Sequence, residues 1–135
     1  MEIKTRIRES FDRQGMMSTL GARLVAVAPG AVEIEAAITP EVSQQHGFAH
    51  AALAFALGDS AAGYAALTVM PEDREVVTSE MKIHLLAPAR GARLVARGRV
   101  VKPGRRLVIV TADVYAVAAG VETHAALLTG TMVPV

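Results

Sequence analysis

The sequence contains no cysteine, which removes disulfide frameworks, thiolate nucleophiles and thiolate metal sites from consideration. It also lacks an excess of charge of either sign. Fourteen Lys and Arg stand against thirteen Asp and Glu, so no global field draws nucleic acid or an anionic membrane, and neither is expected as a partner. No stretch is polar enough to read as disordered, and no repeat, low-complexity tract or linker interrupts the chain. An apolar h-region is missing behind Met1-Glu2-Ile3-Lys4-Thr5-Arg6, which mixes acid and base. This does not read as a secretory signal, and the cytoplasm is the expected compartment. What is present is apolar bulk: 52% of the 135 residues are hydrophobic. That suffices for one domain over residues 1–135 with a sizeable core.

The bulk is concentrated between Gly47 and Pro71, where the only formal charge is Asp59. A membrane span needs about 20 apolar residues, which this length admits. The content argues against it: mostly Ala with Gly58 and Gly63, little Leu or Ile, and no flanking Trp or Lys/Arg anchors. The segment reads instead as a helix buried in a soluble protein, enclosed on all sides.

Around it the pattern changes. Residues 2–14 predict an amphipathic helix, with Ile3, Ile7 and Phe11 at i, i+4 and i+8, stopped by Gly15. Two strands follow, Leu20–Val27 and Ala31–Ile38, joined by Pro29-Gly30. The second alternates Val32, Ile34 and Ala36 against Glu33 and Glu35. A loop from Thr39 to Gly47 leads into the long helix. Beyond Pro71 come Val76–Leu86, Leu94–Val101, Leu107–Ala116 and a last strand after Gly120 through Val133. In the first of these, Thr78, Glu80, Lys82 and His84 alternate with Val77, Ser79, Met81, Ile83 and Leu85. Pro88–Gly91 reads as a turn, and Lys102-Pro103-Gly104-Arg105 as a hairpin. Successive hairpin-linked strands imply an antiparallel sheet, wrapped around one long buried helix. This α+β arrangement is the hotdog fold.

Asp59 then needs an explanation, because an isolated carboxylate is costly to bury charged. No Lys or Arg lies within one helical turn to pair with it. Either it caps a backbone group or faces water, or it serves at a cleft as base or nucleophile. His50 lies nine residues earlier, about half a turn away and about 13 Å along a helix axis. One chain cannot easily bring both to one substrate, whereas two antiparallel helices about a two-fold axis can, so the spacing predicts a site shared between subunits. His46 and His50 have the i, i+4 spacing of a metal pair. Gly47 interrupts them and no third ligand stands out, so no metal is expected. Gly58-Asp59-Ser60-Ala61-Ala62 approaches a nucleophile elbow, but inside a helix rather than at a strand-to-helix turn.

At these residues the chain resembles a family. Gln44-Gln45-His46-Gly47-Phe48-Ala49-His50-Ala51-Ala52, followed by Leu57-Gly58-Asp59-Ser60-Ala61, is similar to the signature of the phenylacetic-acid-degradation and 4-hydroxybenzoyl-CoA thioesterases. In that signature five residues separate an Asn or Gln, here Gln44, from His-Gly-Gly, and a carboxylate stands nine residues after the His. Gly47 falls on the family's upstream Gly, while Ala51-Ala52 replaces the Gly pair. Thr78-Ser79-Glu80-Met81-Lys82-Ile83-His84-Leu85-Leu86-Ala87-Pro88-Ala89 resembles its central strand, and Gly130-Thr131 its close.

The resemblance implies a hydrolase that cleaves an acyl-CoA, aryl or medium-chain, with no cofactor beyond the CoA of the substrate. Asp59 would be nucleophile or general base, and the Ala51 N–H would polarise the thioester carbonyl. Gln44 would orient water or carbonyl, and His50 would brace the loop. Gly63 falls where some relatives carry a polar residue. Phe55, Leu57, Met81 and Ile83 would line the acyl pocket, and Arg90, Lys102, Arg105 and Arg106 would meet the CoA phosphates. The assembly would be a homodimer, and a tetramer as in relatives. Two other readings share the fold: a non-catalytic acyl-CoA binding or sensor module, which Ala51-Ala52 makes thinkable, and a dehydratase, whose usual Asp/His or His/Glu arrangement is not found.

Overall fold

Alternation builds the sheet and small residues seat the helix. The computed structural model describes all 135 residues. Helices α1 (Ile3–Arg13) and α2 (Gly15–Thr19) precede β1 (Arg23–Ala28) and β2 (Ala31–Ala37). A single 3-10 turn, Pro40–Val42, stands before α3 (Ala51–Leu67), and β3 (Val76–Leu85), β4 (Arg93–Pro103), β5 (Val108–Ala118) and β6 (Val121–Pro134) complete the chain. The six strands form one antiparallel sheet in the order β1-β2-β4-β5-β6-β3. Val32, Ile34, Leu94, Ala96, Val110, Ala112, Val114, Leu128 and Met132 are buried in the core that the sheet shares with α3.

Helix and sheet meet at unusually close range. An added Cβ at Gly98 of β4 would stand 2.3 Å from the carbonyl carbon of Ala61, and one at Gly58 would stand 2.8 Å from Leu128 Cδ1. The alanine-rich α3 therefore lies on β4 backbone to backbone, which any larger side chain at Gly98 would prevent. The far end of α3 is tied down from α1. The Arg6 guanidinium donates to the carbonyls of Leu67 (3.2 Å), Met70 (3.0 Å), Pro71 (2.9 Å) and Arg74 (2.6 Å). A cation at a helix C-terminus is favourably placed to satisfy such carbonyls.

Several expectations are corrected. Gly15 does not end the helical segment but begins α2, and β1 accordingly starts at Arg23 rather than Leu20. The long helix starts at Ala51, not directly after Gly47, because residues 43–49 form a loop closed on itself by hydrogen bonds. Most consequentially, β3 is not hairpin-paired to β4. It lies at the sheet edge against β6, with most of its residues exposed. The intervening residues cross the end of the sheet as a strap. The Ala89 carbonyl accepts from the Ala49 N–H (2.9 Å), the Leu86 N–H donates to Ala125, and the Ala92 N–H donates to Val117 (both 2.8 Å). No helix is long and apolar enough to cross a membrane.

Candidate active site

The start of α3 is prepared by His50, which lies outside the helix with extended backbone angles and caps it. Its Nδ1 accepts from the Ala52 N–H at 2.9 Å, and its own N–H donates to Val42 O at 2.9 Å. The preceding N–H, that of Ala51, has no partner within the chain. It points out of the positive end of a 17-residue helix. The loop leading there is organised by Gln44, whose Oε1 accepts from the N–H groups of His46 and Phe48. Gly47 completes the bend at φ +84°. The carbonyl of Gln44 is thus committed to the loop, and only its amide donors remain for a ligand. A cavity of about 560 Å³ opens here, lined by Gln44, Phe48, His50, Ala51, Leu85 and Pro88 among others. The Arg90 guanidinium stacks on Phe48, 4.6 Å from the ring centre.

Asp59, two turns further along α3, faces a different cleft of about 230 Å³. It is half-buried, and Thr78 donates its hydroxyl to Oδ1 at 2.7 Å. Burial pushes the Asp59 carboxyl above its ordinary value, and the Thr78 hydrogen bond partly opposes the rise. The cleft is otherwise polar. Gln14 donates to the Tyr64 hydroxyl (3.0 Å), and Ser60 donates to Gln14 Oε1 (3.2 Å). Gly63 lines this cleft, and an added Cβ there would keep ordinary distance, 3.7 Å, from Met132.

The predicted residues are thus divided between two places. Gln44, Gly47, His50 and Ala51 belong to the loop and helix start, whereas Asp59 and Gly63 belong to the second cleft, and the two clefts share no lining residue. Eight residues of helix, about 12 Å, separate Ala51 from Asp59. The separation is axial. His50 is a cap and not a helical residue, so the expected half turn between it and Asp59 is not a helical relation.

The residues expected to line an acyl pocket stand outside both clefts. Phe55 lies on the open side of α3, Leu57 is fully buried, and Met81 packs beside Gly130; with Ile83, none lines either cleft. Leu85 and Leu86 do. Of the four basic residues, Arg90 is near the first cavity, Lys102 is exposed on β4, and Arg105 and Arg106 lie at the opposite end of the molecule, past the C-terminus of α3.

Thr78 was hidden in the sequence by a β-bulge. The register shifts between Thr78 and Glu80, so Thr78 pairs with the buried Met132 while Glu80 pairs with Thr131. Simple alternation places Thr78 with Glu80 on one face. Gln14 and Ser60 carried no local signal at all.

The pattern of the thioesterase superfamily matches residues 46–122, more than half of the chain. A thioesterase family protein from Silicibacter pomeroyi has the same structure with a TM-score of 0.97 and 42% identity, covering 99% of this chain and 98% of its own. A thioesterase from Haemophilus influenzae superposes with a TM-score of 0.85 at 17% identity, over 100% of this chain and 91% of the other. The PaaI protein of E. coli, from the phenylacetic acid degradation operon, gives 0.85 at 18% identity, over 98% and 93%. At those identities the last two speak for the fold alone. Sheet topology, family pattern and the 42%-identical relative agree, and the chain belongs to the thioesterase superfamily as a hotdog-fold enzyme that hydrolyses thioesters.

Proposed function

We propose that the substrate is an acyl-CoA, aryl or medium-chain, hydrolysed to the free acid and CoA at a site built from two protomers. The observation that carries this reading is the division of the machinery. An unpartnered helix N–H faces an apolar cavity, and a half-buried carboxylate faces a separate polar cleft. A nucleophile and an oxyanion donor must both lie about 3 Å from one carbonyl group. About 12 Å of helix keeps Ala51 and Asp59 of one chain from meeting that requirement. A second copy, its α3 antiparallel to the first, meets it.

In that arrangement the thioester oxygen rests against the Ala51 N–H, where the helix dipole favours the negative charge that develops. Asp59 of the other protomer takes a proton from a water that attacks the carbonyl carbon, or attacks that carbon itself to give an acyl-aspartyl anhydride that water then cleaves to the free acid. Water is the source of the thiol's proton in either route. The C–S bond breaks, and the sulfur leaves with a proton as the CoA thiol. Thr78 holds one carboxylate oxygen and leaves the other for chemistry. The raised Asp59 pKa brings the base closer to neutral pH, where proton transfer is most effective. His50 fixes the helix start, and Gln44 shapes the loop while its amide faces the carbonyl. The open β3 edge, exposing Val77 and Leu85, supplies the surface along which two sheets join. Pairs of such dimers would make the tetramer.

The test is CoA release from a panel of aryl and medium-chain acyl-CoAs. Wild-type protein is expected to hydrolyse at least one, and Asp59→Asn to lose at least about 100-fold in kcat with its circular dichroism unchanged. Near-wild-type turnover by a folded Asp59→Asn protein overturns the assignment.

A further inference from the structure

The Asp59 cleft holds polar groups beyond Asp59 and Thr78. Four of its residues form a small lattice on α3: Asp59 and Gly63 stand at i and i+4, with Ser60 and Tyr64 in the row beside them. Tyr64 is only 6% exposed, and its ring packs on Phe11 of α1 with centroids 6.2 Å apart. Its hydroxyl lies among residues of the cleft wall, where it accepts from Ser10 Oγ at 3.2 Å and from Gln14 Nε2 at 3.0 Å. Gln14 reaches it from the break between α1 and α2, where the backbone is extended and the side chain caps neither helix. Ser60 donates to Gln14 Oε1 and so turns Nε2 toward Tyr64. Two donors on its oxygen leave the Tyr64 hydroxyl with a proton that no group of the chain accepts. A buried hydroxyl held in this way is a donor directed at something outside the chain.

We propose that the Tyr64 hydroxyl is a further catalytic group of the thioesterase reaction, donating to the oxygen of the water that attacks beside Asp59. The proposal rests on the role given to Asp59 above. Gly63 leaves the place next to Tyr64, one turn beyond Asp59, without a side chain. Helical side chains lean toward the N-terminus, which inclines the Tyr64 ring toward Asp59. The cleft, at about 230 Å³, has ample room for water. A water held there donates one O–H to the Asp59 carboxylate, accepts from Tyr64 on one lone pair and keeps the other for the carbonyl carbon. As the C–O bond forms and the C–S bond breaks, its proton passes to Asp59 and then to the departing thiolate. Tyr64 keeps its own proton throughout. The same hold serves the water that cleaves an acyl-aspartyl anhydride. Gln14 and Ser10 act through Tyr64 as positioning residues, fixing the direction of its O–H. One protomer thus supplies both base and water, and its partner supplies the N–H donor.

Steady-state kinetics of wild type, Tyr64→Phe, Gln14→Leu and the double variant test this. The substrate is the acyl-CoA that wild type hydrolyses fastest or, if it takes none, benzoyl-N-acetylcysteamine. Tyr64→Phe keeps the ring against Phe11 and should lower kcat about tenfold, the effect of one lost hydrogen bond. KM, circular dichroism and the acid limb of kcat/KM should stay in place. Gln14→Leu should show part of that fall. The double variant should be no slower than Tyr64→Phe alone, because Gln14 acts only through the hydroxyl, whereas a structural role would give losses that add. Wild-type kcat in folded Tyr64→Phe, or additive losses, overturns the assignment. Asp59→Asn on the same substrate judges the role of Asp59 separately. Its inactivity beside a fully active Tyr64→Phe leaves that role standing and removes only the held water. Full turnover by Asp59→Asn beside a slow Tyr64→Phe keeps the water-holding hydroxyl and removes Asp59 as base. A wild-type protein inert toward both substrates removes both.

Discussion

In the proposed mechanism Asp59 acts as the carboxylate, yet its surroundings favour the acid. Desolvation raises its pKa and the Thr78 hydroxyl holds the rise in check. The acid limb of kcat/KM should therefore lie above the pH at which an ordinary aspartate ionises. Thr78→Val deletes the donor that favours the charged form and should move this limb to higher pH, while Thr78→Ser should restore it. A limb that stays in place would separate Thr78 from the ionisation. The same shift has a thermodynamic sign. The folded state holds this proton more tightly than the unfolded chain, so the contribution of Asp59 is fully present below its ordinary pKa of 3.8. It is lost as pH rises through the raised folded value. At neutral pH, Asp59→Asn should melt no lower than wild type despite its lost activity, as a calorimetric scan would show. Asp59 was legible in the sequence because it is the only formal charge between Gly47 and Pro71. Thr78 was not, because one extra residue in β3 reversed the phase on which alternation depends.

Among the elements, the seating of α3 on β4 is the least forgiving contact. At Gly98 the obstruction to a Cβ is backbone, the Ala61 carbonyl and the Ala62 nitrogen, which no rotamer change can relieve. Gly98→Ala should cost about 3 kcal/mol, the upper end of ordinary overpacking, read from the denaturant midpoint. Gly63→Ala is the control. Its Cβ would find room, and alanine's higher helix propensity should make it neutral or stabilising by up to about 1 kcal/mol. Equal losses at both positions would contradict the close-approach account. The elements themselves were largely readable: β2 from its alternation, α3 from its uninterrupted apolar content, the β4–β5 hairpin from Pro103-Gly104. Their neighbours were less so. That β3 pairs with β6 depends on a strap, Leu86–Ala92, whose hydrogen bonds reach Ala49, Ala125 and Val117. The start of α3 depends on Gln44 and His50 holding a loop together. Contacts so distant in sequence leave no local period to detect.

For the molecule as a whole, the divided site makes a prediction about mixtures. Ala51 is the first helical residue and His50 before it is extended, so proline fits at 51 while removing the N–H donor. Ala51→Pro and Asp59→Asn should each fold and each be inactive. Co-refolded, they should regain part of the wild-type activity, because a hybrid pair contains one site assembled from its two sound halves. Hybrids that demonstrably form and stay inactive would refute the sharing. The backbone-to-backbone seat of α3 also bears on how substrate range could be altered. Where helix and strand touch without intervening side chains, there is nothing to shorten or enlarge, and the floor of the fold is closed to gradual remodelling. Freedom lies at the rim, in Phe48 and in the Leu85–Ala89 stretch that borders the first cavity. A library aimed at a longer or bulkier acyl group should randomise those positions and leave Gly58, Ala61 and Gly98 as they are.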